Sequence, residues 1–129
     1  MEDVVMLVPI SLTLEAMVEK LRGSLAADFL KIEQSEHGTV TVHGFEGGRV
    51  YIEYMPNLEV SVDDPDVVNP RLAEHYRKGF TRFVSVQYRD DSLLRSVLRV
   101  VAAASDVFIC DTFNRVSRGD QLIEQFKDC

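Results

Sequence analysis

The stretch that decides the fold is residues 39–55, TVTVHGFEGGRVYIEYM, in which apolar and polar side chains alternate on both sides of a glycine-rich centre. Alternation of this kind predicts half-buried β-strands, and Glu46-Gly47-Gly48 has the length and composition of a hairpin link. Residues 29–34 form a further short strand pattern, joined by a glycine-bearing link at 35–38. The sequence therefore predicts an antiparallel meander of three strands.

Helical patterns lie on both sides of this meander. Each shows apolar residues at the spacing of an amphipathic helix, preceded by residues suited to an N-cap: Thr13 or Ser11 before the first and Asp90 or Asp91 before the second. The first stripe is Leu14, Met17, Val18, Leu21 and Leu25, and the second is Leu93, Leu94, Val97, Leu98 and Val101. A third, short helix is expected after Ser117.

The remaining segments predict further strands. Residues 4–10 form a first strand, placed near a sheet edge because Pro9 cannot donate a backbone hydrogen bond. Residues 58–62 extend the alternating pattern into a fourth strand of the meander, residues 80–88 form another, and residues 107–110 predict a buried central strand. Turn residues dominate 63–79, with one or two helical turns at 71–78, and the late strand–helix–strand order allows a parallel crossover.

This order of elements predicts the fold class. Strands gathered in the middle of the chain with helices around them favour an α+β fold, with a mixed or mainly antiparallel sheet of about five to six strands and two or three flanking helices. The chain has 129 residues and no long Gly-, Ser- or Pro-rich linker. We therefore expect residues 1–129 to form a single domain.

Charge is distributed unevenly along the chain. The formal net charge is −7, and residues 1–69 contribute −9 because they carry 13 acidic and four basic side chains. Such a chain should repel nucleic acid, whose phosphates bind clustered Lys and Arg, but it can attract a basic protein. No apolar run approaches a membrane span and the acidic start does not resemble a signal peptide, so we expect a cytoplasmic protein that binds no membrane.

The motifs of the common enzyme classes are missing from the sequence. His37, His43 and His75 have no zinc-ligand spacing, and Pro65 and Val68 spoil the calcium-loop spacing of the acidic cluster that begins at Asp63. No nucleophile elbow, P-loop or dinucleotide fingerprint occurs. The sequence therefore predicts a protein that is not an enzyme and holds no metal or cofactor.

The two cysteines predict no disulfide framework. Cys110 follows Val107, Phe108 and Ile109 without a neighbouring Lys or His, so we interpret it as a small, inert core residue with its thiol hidden from water. Cys129 ends the given sequence and is expected to be accessible.

One group of side chains predicts contact with a partner. If Val50, Ile52 and Tyr54 face the core, the opposite face of that strand carries a tyrosine, a glutamate and a methionine, and the adjoining strand adds further acids. Tyr and Met are enriched in interfaces, and acids suit a charged rim. The alternative is that a helix covers this face. The predicted partner-binding residues are Tyr51, Glu53, Met55, Glu59, Asp63, Asp64 and Asp66.

The last third of the chain carries a family resemblance. A helix at 92–105, the apolar strand at 106–111 and the polar turn 114–120 leading into a final helix resemble the ends of several small acidic immunity proteins of bacterial polymorphic toxins. The resemblance implies a cognate inhibitor of an interbacterial effector, of the kind used in type VI secretion or contact-dependent inhibition. Such an inhibitor would occlude the toxin's active site, with its acids imitating an anionic substrate or pairing with a basic rim.

Two other functions stay open from the sequence. Type III secretion chaperones are also small, acidic, α+β and commonly dimeric, which leaves a homodimer possible, although their usual order begins with a helix. A small ligand-binding domain is the other alternative, with a pocket lined by His43, Tyr51, Tyr54 and Tyr88.

Overall fold

The computed structural model describes residues 2–24, 29–36 and 38–126. Leu25, His37 and Cys129 lie outside the described residues, so the expectations for them stay predictions. The strands are β1 Glu2–Pro9, β2 Phe29–Gln34, β3 Val40–Gly44, β4 Arg49–Tyr54, β5 Thr81–Tyr88, β6 Phe108–Cys110 and β7 Val116–Arg118. The helices are α1 Leu14–Gly23, α2 Pro56–Val60, α3 Pro70–Arg77, α4 Asp91–Val101 and α5 Gly119–Phe126.

All seven strands of the described chain form one antiparallel sheet in the order β2-β3-β4-β5-β1-β6-β7. The predicted α+β class is confirmed, and the sheet is antiparallel throughout. It has seven strands where five to six were expected, and five helices where two or three were expected. The two helices beyond the expected number are short: α2 overlaps the predicted strand at 58–62, and α3 falls where one or two helical turns were expected at 71–78.

The meander of β2, β3 and β4 forms as its alternation predicts. Val40 and Val42 of β3 are buried opposite Ile52 and Val50 of β4. The link between these strands closes with a hydrogen bond from the Gly44 amide to the Gly48 carbonyl, 2.8 Å long. Gly47 has a φ of 88°, a backbone conformation that favours glycine, so the residue type suits this turn.

One side of the sheet, the helical face, packs against α1 and α4. The Thr13 hydroxyl accepts a hydrogen bond from the Ala16 amide, and the Asp90 carboxylate accepts one from the Leu93 amide, so both predicted N-caps are confirmed. Leu122 and Ile123 of α5 pack at the edge of the same core. The buried residues that the sheet contributes are Val4, Met6, Val8, Val40, Val42, Val50, Ile52, Val84, Val86, Tyr88 and Ile109.

The other side, the second face, has a smaller core. Leu7 and Phe83 are buried against Leu72 and Ala73 of α3, and Tyr76 packs beside them. Leu58 of α2 also contacts this core. The second face is therefore covered by α2 and α3 over β1, β5 and β6, the strands that these helices contact.

The predicted strand at residues 58–62 is wrong, because this segment contains α2 and a turn. Leu58 and Val62 are four residues apart, which places them on one side of a helical turn, and both pack on the second face. Val60 between them is 88% exposed. Apolar residues at positions 58, 60 and 62 are therefore compatible with a strand, and also with a helical turn whose middle residue is exposed. Pro56 at the start of α2 favours the helix.

Two other placements differ from expectation. β1 is not near an edge, since it pairs with β5 on one side and β6 on the other; Pro9 is tolerated because it is the strand's last residue. Residues 116–118 form β7, an edge strand, instead of continuing the polar turn. The expected crossover from β5 through α4 to β6 exists with β1 between the two strands, which run parallel to each other.

Candidate functional site

Side chains of the second face lie in rows that cross the sheet. The pairing registers place one residue from each of β2, β3, β4, β5 and β1 in a first row, and one from each of β4, β5, β1, β6 and β7 in the next. The first row is Glu33, Thr41, Tyr51, Gln87 and Asp3. The second row is Glu53, Ser85, Val5, Cys110 and Val116.

The part of the second face over β2, β3, β4 and the end of β5 is polar, and we call it the open strand patch. The helices that pack on this face contact β5, β1 and β6 instead. Its residues, which are exposed or half-buried, are Lys31, Glu33, Thr41, His43, Arg49, Tyr51, Glu53 and Gln87.

Charges within the open strand patch are partly paired. The Lys31 ammonium lies 2.6 Å from the Glu33 carboxylate and lowers the pKa of that carboxyl. His43 Nε2 lies 3.5 Å from Glu33 Oε2 without hydrogen-bond geometry, and its proximity also lowers the pKa of the Glu33 carboxyl. Both carboxylates and cations are present, so the patch offers mixed polar contacts rather than one sign of charge.

The acidic segment, residues 56–67, follows β4 directly and is the most acidic surface in this region. Asp63 forms an exposed ion pair with Arg77 at 2.7 Å, and the Asp64 carboxylate accepts a hydrogen bond from the Asp66 amide at 2.9 Å. Val60 and Val67, one on each side of these acids in the sequence, are 88% and 49% exposed. The segment thus combines exposed apolar side chains with carboxylates.

The predicted partner-binding residues occupy three places. Tyr51 and Glu53 lie half-buried in the open strand patch, opposite the buried Ile52, as alternation predicts. Met55 instead turns under α2 and packs against the core of the second face. The remaining four are separated from the row of Glu53 because residues 58–62 are not a strand; they are Glu59 in α2 and Asp63, Asp64 and Asp66 in the loop after it.

A cavity of about 340 Å³ lies between the second face and the segment from α2 to α3. Its floor is the second row of the sheet, where Ser85, Val5 and Cys110 are neighbours. Leu58 and Leu72 contribute apolar walls from α2 and α3. The other lining residues are Asp3, Met55, Val67, Val68, Asn69, Asp111, Thr112 and Asn114.

One end of the cavity is held by a pair of asparagines. The Asn69 amide nitrogen donates to the Asn114 backbone carbonyl at 2.9 Å and to its side-chain oxygen at 3.0 Å. The Asn69 side-chain oxygen accepts from the Arg71 amide at 2.8 Å and so caps α3. These bonds join the start of α3 to the loop between β6 and β7, which has Asn114 at a φ of 60°.

Cys110 differs from its sequence interpretation as a hidden core residue. It is half-buried, lines the cavity, and its thiol donates to the Asn114 side-chain oxygen at 3.4 Å. Burial raises the pKa of the Cys110 thiol, and the carboxylates of Asp111 and Asp3 raise it further. The predicted central position of this strand is wrong, because β6 is second from the sheet edge. Val107 and Ile109 are buried in the core of the helical face, and Cys110 lies on the second face.

The Asp111 carboxylate stabilises the loop between β6 and β7, which closes one end of the cavity. Its carboxylate accepts hydrogen bonds from the Phe113 amide at 2.9 Å and the Arg115 amide at 3.0 Å, and the Arg115 guanidinium lies 3.2 Å away. The carboxylate is therefore engaged within its own loop.

A second, basic groove lies between α3, β6 and β7. The His75 ring stacks on Phe108 with a centroid distance of 3.7 Å, and Arg71 and Arg118 line the same groove. Burial lowers the pKa of His75, and the nearby Lys78 and Arg71 add to this effect while Glu74 opposes it. Arg118 is paired with Asp120 at 2.6 Å.

The pocket proposed from His43, Tyr51, Tyr54 and Tyr88 does not exist as one site. His43 and Tyr51 belong to the open strand patch, whereas Tyr54 and Tyr88 pack on the helical face. Residues an odd number of positions apart along a strand point to opposite faces of the sheet. Within residues 2–24, 29–36 and 38–126, no group of three His, Cys, Asp or Glu side chains could hold a metal ion.

Comparison of the chain with protein-family models, curated proteins and solved structures finds no match. Among the helices of the described chain, none has the length and apolar character to cross a membrane.

Sequence reasoning did not assign the polar residues of the cavity to a site, among them Asp3, Asn69, Ser85 and Asn114. Asn69-Pro70 carried a usable signal, since Asn at an N-cap followed by Pro at the first helical position starts a helix. Ser85 carried a weaker signal, because it is a polar residue with an apolar neighbour on each side, Val84 and Val86, within a strand. Their meeting at one cavity depends on strand pairing, which the local pattern does not reveal.

Proposed function

We propose that this chain is an immunity protein that binds a bacterial toxin or effector and occludes its active site. The proposal rests on the sequence resemblance together with one structural observation, the half-buried Tyr51 and Glu53 of the open strand patch on β4. The acidic segment follows them along the chain after Met55, which packs inward. A half-exposed aromatic side chain, exposed valines and carboxylates therefore follow one another along 17 consecutive residues, 51–67.

This composition suits a protein interface. The centres of interfaces are enriched in Tyr and in apolar contacts, and their rims are polar. In the proposed complex, Tyr51 and Val60 are anchors, and Asp64 and Asp66 are rim charges facing a basic partner. Rim charges act mainly by accelerating association, whereas buried anchors slow dissociation.

The net charge of −7 supports a basic protein as the partner and argues against nucleic acid. A toxin that acts on an anionic substrate such as a nucleic acid presents basic side chains around its active cleft. Carboxylates of the acidic segment would pair with those side chains and compete with the substrate. We place this complex in the cytoplasm of the producing cell, where a toxin of this kind would be neutralised.

The test is neutralisation of a toxin, sought first among the products of genes next to the one that encodes this chain. Cells expressing that toxin should survive when they also express the chain, and the Tyr51→Ala variant should lose protection. The matched control is Glu19→Lys, because Glu19 is exposed on α1, across the sheet from the open strand patch. Loss of protection by Glu19→Lys with full protection by Tyr51→Ala would contradict the proposed interface.

Binding kinetics separate the two parts of the surface. Changing both Asp64 and Asp66 to Lys should slow association and flatten its salt dependence, and Tyr51→Ala should speed dissociation. A toxin that binds all these variants equally, but binds Arg118→Ala weakly, would place the interface on the basic groove. Recovery of the chain bound to an unfolded segment of a secreted effector would instead support the chaperone function.

A further inference from the structure

The cavity on the second face is lined by the hydroxyl of an otherwise buried residue. Ser85 is 2% exposed and lines the cavity, and its side chain forms no hydrogen bond to another residue of the described chain. A hydroxyl both donates and accepts, so this one can bond to a polar group placed inside the cavity. A cavity of about 340 Å³ lies within the size range of small-molecule sites.

The charges around the cavity have one sign. The ionisable side chains that line it are Asp3, Asp111 and Cys110, and no Lys, Arg or His joins them among the described residues. Asp111 is engaged by the Arg115 guanidinium and by two amides of its own loop. Asp3 forms no ion pair within the described chain, so it is the available carboxylate at this site.

Strand register sets the distance between the charged and the polar group. Asp3 pairs with Gln87, and Val5 pairs with Ser85, so Asp3 and Ser85 are diagonal neighbours across β1 and β5. Diagonal positions of this kind lie about 7–8 Å apart. Val5, Leu58 and Leu72 provide apolar contact between and above these two groups.

We propose that this cavity binds a small aliphatic amine that carries a hydroxyl or carbonyl group about five carbons from its nitrogen. The ammonium group pairs with Asp3, the oxygen forms a hydrogen bond with Ser85, and the carbon chain lies against Val5, Leu58 and Leu72. This site is independent of the proposed toxin interface, since it uses the interior beneath α2 and not the exposed side of the acidic segment.

Cys110 provides the reporter for a test, because its thiol lines the same cavity. In a Cys129→Ser chain, alkylation of Cys110 by iodoacetamide is followed at about pH 8.5, where an alkylamine stays protonated. The probe is 5-amino-1-pentanol, and it should slow alkylation in proportion to the occupied fraction of the cavity. Alkylation of a free small thiol in the same solutions controls for loss of reagent.

Matched probes isolate each contact. Pentane-1,5-diol lacks the positive charge and 5-hydroxypentanoate reverses it, so both should protect Cys110 about tenfold less well. Pentylamine lacks the oxygen and should bind about three- to tenfold more weakly than 5-amino-1-pentanol. Equal protection by all four compounds, or protection by none of them, would overturn the proposal and leave a cavity filled by water alone.

Variants of the chain then test which side chain makes each contact with the probe. Asp3→Asn should weaken protection by 5-amino-1-pentanol about tenfold, and Ser85→Ala about three- to tenfold, while the thermal unfolding transition of each variant verifies folding. Asp106→Asn, an exposed acid outside the cavity, is the matched control and should change nothing. Equal effects of Asp3→Asn and Asp106→Asn would show that the amine responds to overall charge and not to this site.

Discussion

The two faces of the sheet are covered to different extents, although the same strands build both. On the helical face, α1 and α4 bury eleven sheet residues in one continuous core. On the second face, two short helices bury Leu7 and Phe83 and leave a cavity and the open strand patch beside them. The comparison indicates that stability is concentrated on the helical face and that the second face is free to carry binding.

The largest expected difference is between adjacent residues of β4 that point to opposite faces. Ile52 is fully buried on the helical face, so Ile52→Ala should lower the free energy of unfolding by about 2–5 kcal/mol. Tyr51 lies half-buried in the open strand patch, and Tyr51→Ala should cost less than about 1 kcal/mol. Urea unfolding of both variants measures this difference, and equal losses would show that the two faces contribute alike.

A second prediction concerns how α5 is held at the helical face. A Cβ at Gly119 would collide with the Ala102 carbonyl oxygen, and the Gly119 amide donates to the Val107 carbonyl at 2.6 Å. Gly119→Ala should therefore destabilise the protein by about 1–3 kcal/mol. Gly23→Ala is the matched control, since a Cβ there meets nothing within 4 Å, and it should be neutral or stabilising. An unchanged free energy of unfolding in Gly119→Ala would contradict this close packing.

The third prediction uses pH to probe the second face. The pKa of His75 is lowered, so the folded protein favours the neutral ring; stability is full above the ordinary histidine pKa and falls as pH drops through it. The melting temperature should therefore decrease between about pH 7 and pH 5, and His75→Phe, which keeps the stack on Phe108, should reduce that decrease. An identical pH profile in the variant would exclude His75 as the cause.

The smallest expected effect is that of Ser85→Ala on stability. Its hydroxyl has no partner within the described chain, so its removal should change the free energy of unfolding by less than about 0.5 kcal/mol, with any change stabilising. Thr13→Ala is the comparison, because that hydroxyl caps α1 and its loss should cost about 0.5–2 kcal/mol. A large loss in Ser85→Ala would show that the hydroxyl is satisfied in the folded protein.

Much of the helical face was predictable from the sequence because its signals are local. The stripes of α1 and α4 recur every three to four residues, and Thr13 and Asp90 stand where caps are needed. Val50 and Ile52 were assigned to the core by alternation alone, and both are buried. In each case the residues that carry the signal lie within one element.

The second face was predicted less well. Leu58 and Val62 satisfy both a two-residue and a four-residue repeat, and Pro56 together with the sheet beneath them selects the helical turn. Cys110 follows an apolar run, yet the loop between β6 and β7 and the segment from α2 to α3 leave a cavity above it. The sequence correctly predicts that Tyr51 and Glu53 point away from the face that buries Ile52, but it wrongly groups Met55 with them, because Met55 packs in the core of the second face.

The sequence by itself determined the α+β class, the meander of β2, β3 and β4, the caps of the two main helices and the alternation that places Tyr51 opposite Ile52. These features depend on residues a few positions apart, whose conformational preferences act wherever the segment lies. The position of β1 between β5 and β6 and the cavity where Asp3, Ser85 and Cys110 meet were set by tertiary structure alone. Those features depend on contacts between segments distant in the chain, which no local pattern encodes.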